Sequence, residues 1–225
     1  KCNFKCECFA VEYETQNNKK KCACDSYYAV DTEFKDTWTK YKSYEEIVNE
    51  VDKLISIYPY NYKIDIVITG GEPLLYWNKE EFQKLLEHYI NAGHKVTIET
   101  NASLNLNIDK EYQKELLFSM SVKLSNSLEP IKKRININTL NTILNNTKES
   151  YLKFVIGKDF LNDAKKEINE ILSLIPKCDV YLMPLGDTAE QINKNCEDVI
   201  NMSIENGFKY CDRLHIRVWD NKRGV

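Results

Sequence analysis

The sequence predicts an α/β fold in which a parallel sheet carries helices on its outside. Short apolar runs alternate with stretches of helical period, and strand–helix–strand order of this kind calls for crossover connections between parallel strands. Glycines stand just past two helical stretches, at Gly93 and Gly207, as helix stops. The unusual polar residues, at 69–72, 99, 123 and 183–186, all fall at or just beyond predicted strand ends. Parallel α/β folds carry their sites in those loops, whether the strands close as a barrel or stay open.

Taken in order, residues 27–42 are polar and aromatic with no clear period. Ser43-Tyr44-Glu45-Glu46 reads as a capping box, and Ile47, Val51, Leu54 and Ile55 follow at helical spacing. A helix is predicted over residues 44–57, ended by Tyr58-Pro59-Tyr60. Residues 63–69 are β-branched and apolar, a buried strand running into Gly70-Gly71-Glu72-Pro73. Asn78 is the expected cap of a helix over residues 80–92, and residues 95–100 form the next strand. A short helix is expected at 109–117 and a strand at 119–124, on which Ser121 and Lys123 share a face. Residues 125–150, rich in Asn, Ser and Thr, read as loop with at most one helical turn. A strand at 151–156, a helix at 164–175 and a strand at 180–184 follow. Asp187 is the expected cap of a helix over residues 188–206, with Glu190 at its third position, and residues 214–219 are expected as the last strand.

The chain has 225 residues, 43% hydrophobic and 29% charged, enough for a sizeable core, and it reads as a single domain over 1–225. A net charge of -3 leaves no basic footprint for nucleic acid. No apolar run reaches membrane-spanning length and no signal peptide is visible, so a cytoplasmic location is expected. A chain of this size needs no disulfide staples, and clustered cysteines in a reducing compartment more often bind metal. The opening on Lys1 without Met suggests that upstream residues exist.

Five of the 8 cysteines lie in residues 1–26: Cys2, Cys6, Cys8, Cys22 and Cys24. Cys2 and Cys6 can point their sulfurs at one centre from a single loop, and Cys24 can complete a three-thiolate face. Thiolates suit iron–sulfur clusters, and three ligands on a four-iron cluster leave one iron open. Cys8 or Cys22 can replace Cys6 in that set. A zinc knuckle is the alternative, but the paired Cys-x-x-Cys spacing of such sites is absent. Cys178, Cys196 and Cys211 are isolated and read as packing residues. After the strand at 63–69, two glycines allow close backbone approach to a ligand, and the Glu72 carboxylate can accept hydrogen bonds from an ammonium; a plain tight turn explains them equally. Glu99 at a strand end can hold ribose hydroxyls or be a loop acid. Lys123 can meet a carboxylate or be solvated. Ser26 can be a weak Mg2+ ligand or a helix cap.

Together, Cys2-Asn3-Phe4-Lys5-Cys6 with Cys24-Asp25-Ser26, Thr69-Gly70-Gly71-Glu72-Pro73, Glu99-Thr100-Asn101 and Ser121-Val122-Lys123 resemble the radical S-adenosylmethionine enzymes. Within that superfamily the chain is similar to the 7-carboxy-7-deazaguanine synthases of queuosine and 7-deazapurine biosynthesis. The resemblance implies a partial, open parallel β/α barrel. It implies a lyase that converts 6-carboxy-5,6,7,8-tetrahydropterin to 7-carboxy-7-deazaguanine with loss of ammonia. It further implies a [4Fe-4S] cluster on Cys2, Cys6 and Cys24, with S-adenosylmethionine chelating the open iron. Ala23, Cys24, Asp25, Gly71, Glu99, Ser121, Lys123, Met183, Pro184, Leu185 and Gly186 would touch S-adenosylmethionine. Ser26 would hold Mg2+, and Thr69 and the terminal carboxylate at Val225 would touch the pterin. An electron donor such as flavodoxin or ferredoxin and a homodimer are implied as partners. The chain departs from the family in four places. A family Gln-Pro-Met reads Leu182-Met183-Pro184-Leu185. A long insertion separates Cys6 from Cys24, Trp219 stands where a substrate-binding histidine is usual, and the family's N-terminal strand would lie upstream of Lys1. A radical activating enzyme, acting on a glycine of a partner protein, would share the cluster and S-adenosylmethionine residues but need no Mg2+. A zinc-binding module without catalysis would share only the cysteines.

Overall fold

The structure, a computed structural model, describes residues 1–5, 11–14, 19–22, 26–58, 63–220 and 222, without the side chains of 11–14, 21 and 22. Six strands form one parallel sheet: β3 (Asp65–Ile68), β4 (Lys95–Thr100), β5 (Leu117–Met120), β6 (Tyr151–Ile156), β7 (Val180–Pro184) and β8 (Lys209–Tyr210). They lie in the sheet in chain order, each pairing only with its sequence neighbours, and the sheet stays open. Right-handed crossovers that always advance in one direction put every connecting helix on the same face. An antiparallel pair, β1 (Val11–Glu14) and β2 (Lys19–Cys22), precedes this sheet.

The register makes the two faces different. Val96, Ile98, Phe118, Met120, Leu152, Phe154, Ile156 and Leu182 are fully buried on the helix side. They form one core with Leu86 and Tyr89 of α3 (Glu80–Asn91), Leu140 and Ile143 of α6 (Ile137–Asn146), Ile168 of α7 (Leu161–Leu172) and Val199 of α8 (Ala189–Asn206). Each such side chain contributes about 1.5–3 kcal/mol on burial. The opposite face carries Thr97, Glu99, Ser119, Tyr151, Lys153, Tyr181 and Met183.

The helix at 44–57 is α2 (Tyr44–Ile55), but its capping box does not form. Ser43 makes no side-chain cap bond, and Glu46 accepts from the Lys42 amide at 2.9 Å. Lys79, not Asn78, precedes α3, and Thr188, not Asp187, caps α8 by accepting from the Gln191 amide. Both expected helix stops hold, with Gly93 at φ 82° and Gly207 at φ 67°. The short helix expected at 109–117 is the single turn α4 (Glu111–Lys114).

Three expectations fail for clear reasons. The strand expected at 119–124 is β5, shifted towards the amino end because Leu116, Phe118 and Met120 supply the burial. After Met120 the Ser121 amide donates to the Thr100 carbonyl at 2.7 Å and the chain leaves the ladder, so Ser121 and Lys123 sit in a loop. Residues 125–150 contain α5 (Ile131–Arg134) and α6, the latter capped by Asn136 accepting from the Thr139 amide. Leu140 and Ile143 bury their side chains there, and tertiary packing outweighs the poor propensity of the Asn and Thr around them. Residues 214–219 are not a strand but α9 (Leu214–Trp219). Only Ile216 of that segment is buried, so its alternation of apolar residues faces no second layer, and the edge of the sheet is taken by β8 instead.

Candidate active site

The carboxyl ends of β3, β4 and β5 are joined by the amino-terminal segment. The Lys1 carbonyl accepts from the Glu72 amide at 2.8 Å. Asn3 donates to Ser103 at 2.8 Å and accepts from Asn101 at 2.9 Å, both just past β4. The Lys5 amide donates to Glu129, whose other oxygen holds Lys133 at 2.6 Å, and the Lys133 ammonium lies 5.1 Å from the centre of the Phe4 ring. Cys2 is therefore carried to the mouth of the sheet as a half-buried free thiol. The Phe4 amide donates to its sulfur at 3.4 Å.

Gly71 is what allows this approach. Its φ is 62°, and a Cβ there would overlap the Lys1 carbonyl, lying 2.7 Å from its carbon. The neighbouring Gly70 also has positive φ, at 87°, but faces open space. Glu72 is fully buried. Its carboxylate accepts from the Leu74 amide at 2.9 Å, the Thr100 hydroxyl at 2.6 Å and the Asn101 amide at 2.8 Å. It ties the glycine turn to the end of β4, and the sequence-based reading of it as an ammonium acceptor is corrected. Burial pushes its carboxyl up, against the pull of these three donors and of the Lys123 charge.

Thr69 and Glu99 meet: the Thr69 hydroxyl donates to Glu99 Oε2 at 2.9 Å. Lys153, from the middle of β6, donates to Glu99 Oε1 at 3.0 Å. Across the mouth, Lys123 donates to the Ser121 hydroxyl at 3.2 Å. The loop bearing them is fixed from below, because Arg134 donates to the Lys123 carbonyl at 3.0 Å and pairs with Glu167 of α7 at 2.9 Å. The fourth flank is the turn after β7. The Leu185 amide donates to the Ile156 carbonyl at 2.9 Å and extends the ladder, while Arg213 donates to the Gly186 carbonyl at 2.8 Å. Asn195 of α8 donates to the Leu185 carbonyl at 2.7 Å and accepts from the Lys158 amide at 2.8 Å, so one side chain holds two successive loops.

Thus Cys2, Thr69, Gly71, Glu99, Ser121, Lys123, Met183, Pro184, Leu185 and Gly186 all lie at the carboxyl ends of parallel strands or on the segment bound to them. Ser26 precedes α1 (Tyr27–Val30). Cys6, Cys8, Ala23, Cys24, Asp25 and Val225 lie outside the described residues, as does the Cys22 side chain. Among the described residues no three His, Cys, Asp or Glu side chains gather around one point. Sequence reasoning missed Lys153. The signal was present: Leu152, Phe154 and Ile156 alternate with it, so a lysine in that strand had to face away from the helices. It also missed Glu129 and Asn195, whose roles depend on contacts distant in sequence.

Cys178, Cys196 and Cys211 are free and half-buried. Burial pushes the Cys178 and Cys211 thiols up from their usual range. At pH 8 both are then less ionised than an ordinary thiol, and the thiolate is the nucleophile. Iodoacetamide labelling of the folded protein at pH 8, followed by peptide mass spectrometry, is expected to modify both more slowly than a cysteine peptide. Equal rates would show the burial to be ineffective.

The sequence model of the Radical SAM superfamily matches residues 1–199. A 7-carboxy-7-deazaguanine synthase of Rhodopirellula baltica is 31% identical over 176 residues, which are 71% of this chain and 63% of that protein. One of Halobacterium salinarum is 27% identical over 221 residues, 88% of this chain and 77% of that protein. Among solved structures, QueE from Escherichia coli superposes with a TM-score of 0.54 at 16% identity, covering 84% of this chain and 78% of that one. Streptococcus suis SuiB bound to the precursor peptide SuiA gives 0.52 at 14% identity, covering 80% of this chain and 45% of that one. At these identities the two structures show a shared fold.

Proposed function

Because this chain belongs to the Radical SAM superfamily, we propose that it is a 7-carboxy-7-deazaguanine synthase, a lyase acting on 6-carboxy-5,6,7,8-tetrahydropterin with loss of ammonia. The observation that carries the proposal is the docking of residues 1–5 onto Gly71-Glu72, Asn101, Ser103 and Glu129. It sets Cys2 over the carboxyl ends of the strands that bear Thr69 and Glu99. The names of the relatives support the choice of product, and the pterin substrate comes with the family resemblance.

The groups present fit a thiolate-held cluster and an adenosyl ligand. Cys2 offers sulfur with an amide aimed at it, the missing Cβ of Gly71 keeps the backbone close, and Glu99 offers acceptor oxygens. When bound, the [4Fe-4S] cluster and S-adenosylmethionine supply electron transfer and hydrogen abstraction, for which no side chain substitutes. In our reading Cys2, Cys6 and Cys24 hold the cluster. Gly71 presents backbone to the amino-acid end of S-adenosylmethionine, and Lys123 faces its carboxylate. Glu99 accepts from the ribose hydroxyls. Ala23, Cys24, Asp25, Ser121, Met183, Pro184, Leu185 and Gly186 complete the enclosure. Ser26 holds Mg2+ against the pterin carboxylate, and Thr69 and Val225 orient the pterin.

Exposed Lys5, Lys132 and Lys133 beside the Cys2 segment suit an acidic electron carrier such as flavodoxin or ferredoxin. We read residues 1–225 as one cytoplasmic domain working as a homodimer; among the described residues no helix is long and apolar enough to cross a membrane. The test is an anaerobic assay of the full-length, iron-loaded protein with S-adenosylmethionine, Mg2+, a reductant and the pterin. Formation of 7-carboxy-7-deazaguanine is expected. Release of 5′-deoxyadenosine without pterin turnover would move the enzyme to another reaction of the superfamily, and a colourless protein that takes up zinc but no iron would refute the cluster.

A further inference from the structure

The contact between Lys153 and Glu99 crosses an intervening strand. Glu99 lies on β4 and Lys153 on β6, with β5 between them. Two strand spacings are about 10 Å, so a lysine bridges them only over a small residue. On β5 Ser119 lies directly opposite Glu99, with Tyr151 on its other side two residues before Lys153, so the lysine reaches Glu99 diagonally past a small residue that is fully buried, its hydroxyl without a hydrogen-bond partner. The Lys153 side chain is only 14% exposed, while Glu99 is 37% exposed and opens to the site.

A carboxylate has about four lone-pair positions. Lys153 takes one on Oε1 and Thr69 one on Oε2. The plane of the carboxylate is therefore held from both sides. Two adjacent acceptors fixed in one plane match a vicinal diol. A partly buried ion pair is weak evidence for stability, since desolvation offsets much of the attraction. Orientation is the use that this geometry supports.

We infer that Lys153 is a positioning residue: through its ion pair it fixes Glu99 to receive both ribose hydroxyls of S-adenosylmethionine. This rests on the reading of Glu99 as the ribose acceptor. The experiment is equilibrium dialysis of S-adenosylmethionine, and of its analogue lacking both ribose hydroxyls, against the anaerobic iron-loaded protein. Lys153→Met is expected to raise the Kd for S-adenosylmethionine about tenfold, about 1.4 kcal/mol. Its Kd for the dihydroxyl-free analogue is expected to stay at the wild-type value. Lys153→Gln, which keeps a donor for Glu99, is expected to recover most of the loss, and adding Lys153→Met to Glu99→Gln is expected to cost nothing more.

Wild-type affinity in Lys153→Met would overturn the inference. So would equal losses for the two ligands, or equal losses in the Met and Gln variants, because both mark packing. Glu99→Gln is measured alone as well. If it binds both ligands normally, the ribose reading itself fails; if it loses S-adenosylmethionine while Lys153→Met does not, only the role of Lys153 fails.

Discussion

Gly71→Ala is expected to release the amino-terminal segment while leaving the sheet folded. A non-glycine residue in the left-handed region costs about 1–2 kcal/mol. Here the added carbon would also overlap the Lys1 carbonyl, so the 2.8 Å bond from the Glu72 amide must break, a further loss of about 1 kcal/mol. The overlap and the lost bond, which unlike the strain depend on docking, disfavour the seating of residues 1–5 by about fivefold or more. Iron and sulfide content after anaerobic reconstitution is expected to fall accordingly, with little change in the thermal transition followed by circular dichroism. Gly70→Ala is the control: it carries the same sort of backbone strain but meets nothing within 4 Å. If the Gly71 variant takes up iron normally, or the Gly70 variant loses as much, the docking does not depend on that close approach.

Glu72→Ala is expected to be the most destabilising single change at the site. It strands the Leu74 amide, the Asn101 amide and the Thr100 hydroxyl in a place with no solvent access. Each buried donor left unpaired costs about 1–3 kcal/mol, so a loss of about 4 kcal/mol is expected in denaturant unfolding. That is a large share of the stability of an ordinary domain. The pH dependence follows from burial. The folded carboxyl is raised above its ordinary value of 4.5, so the folded chain holds this proton longer than the unfolded one. The resulting contribution is fully present below about 4.5 and is lost as pH rises through the folded value. The stability gap between wild type and variant is therefore expected to narrow from pH 4 towards neutrality. A gap that widens with pH would show that the donors outweigh burial.

Strands were legible where apolar residues recur at every second position. Residues 95–100, 151–156 and 180–184 were bounded as observed, because β-branched and aromatic residues in a buried parallel strand leave little choice. Capping was less legible. Asn78 and Asp187 are suitable types, yet Lys79 and Thr188 hold the cap positions, and Ser43 holds its predicted place without a side-chain bond while the Tyr44 amide donates to Glu81 of α3. α6 was hidden by its asparagines, and α9 looked like a strand because period alone does not tell a short amphipathic turn from an edge strand. In the site, Thr69, Gly71, Glu99, Ser121 and Lys123 were identified as residue types at strand ends. What the sequence did not disclose is which of them touch. Glu72 turned out to bind backbone and Lys153 to bind Glu99, and both depend on register across the sheet.

The strict succession of neighbours in the sheet bears on how the molecule is made. A chain emerging from the ribosome can lay each new strand beside the one just finished, so nearly all pairing is between recent neighbours. Residues 1–5 are the exception. They are synthesised before the sheet, and their receptors at Glu72, Asn101, Ser103 and Glu129 appear far later. Their seat exists only once the first three strands of the sheet have formed, so the Cys2 thiol leaves the tunnel long before the groups that hold its segment.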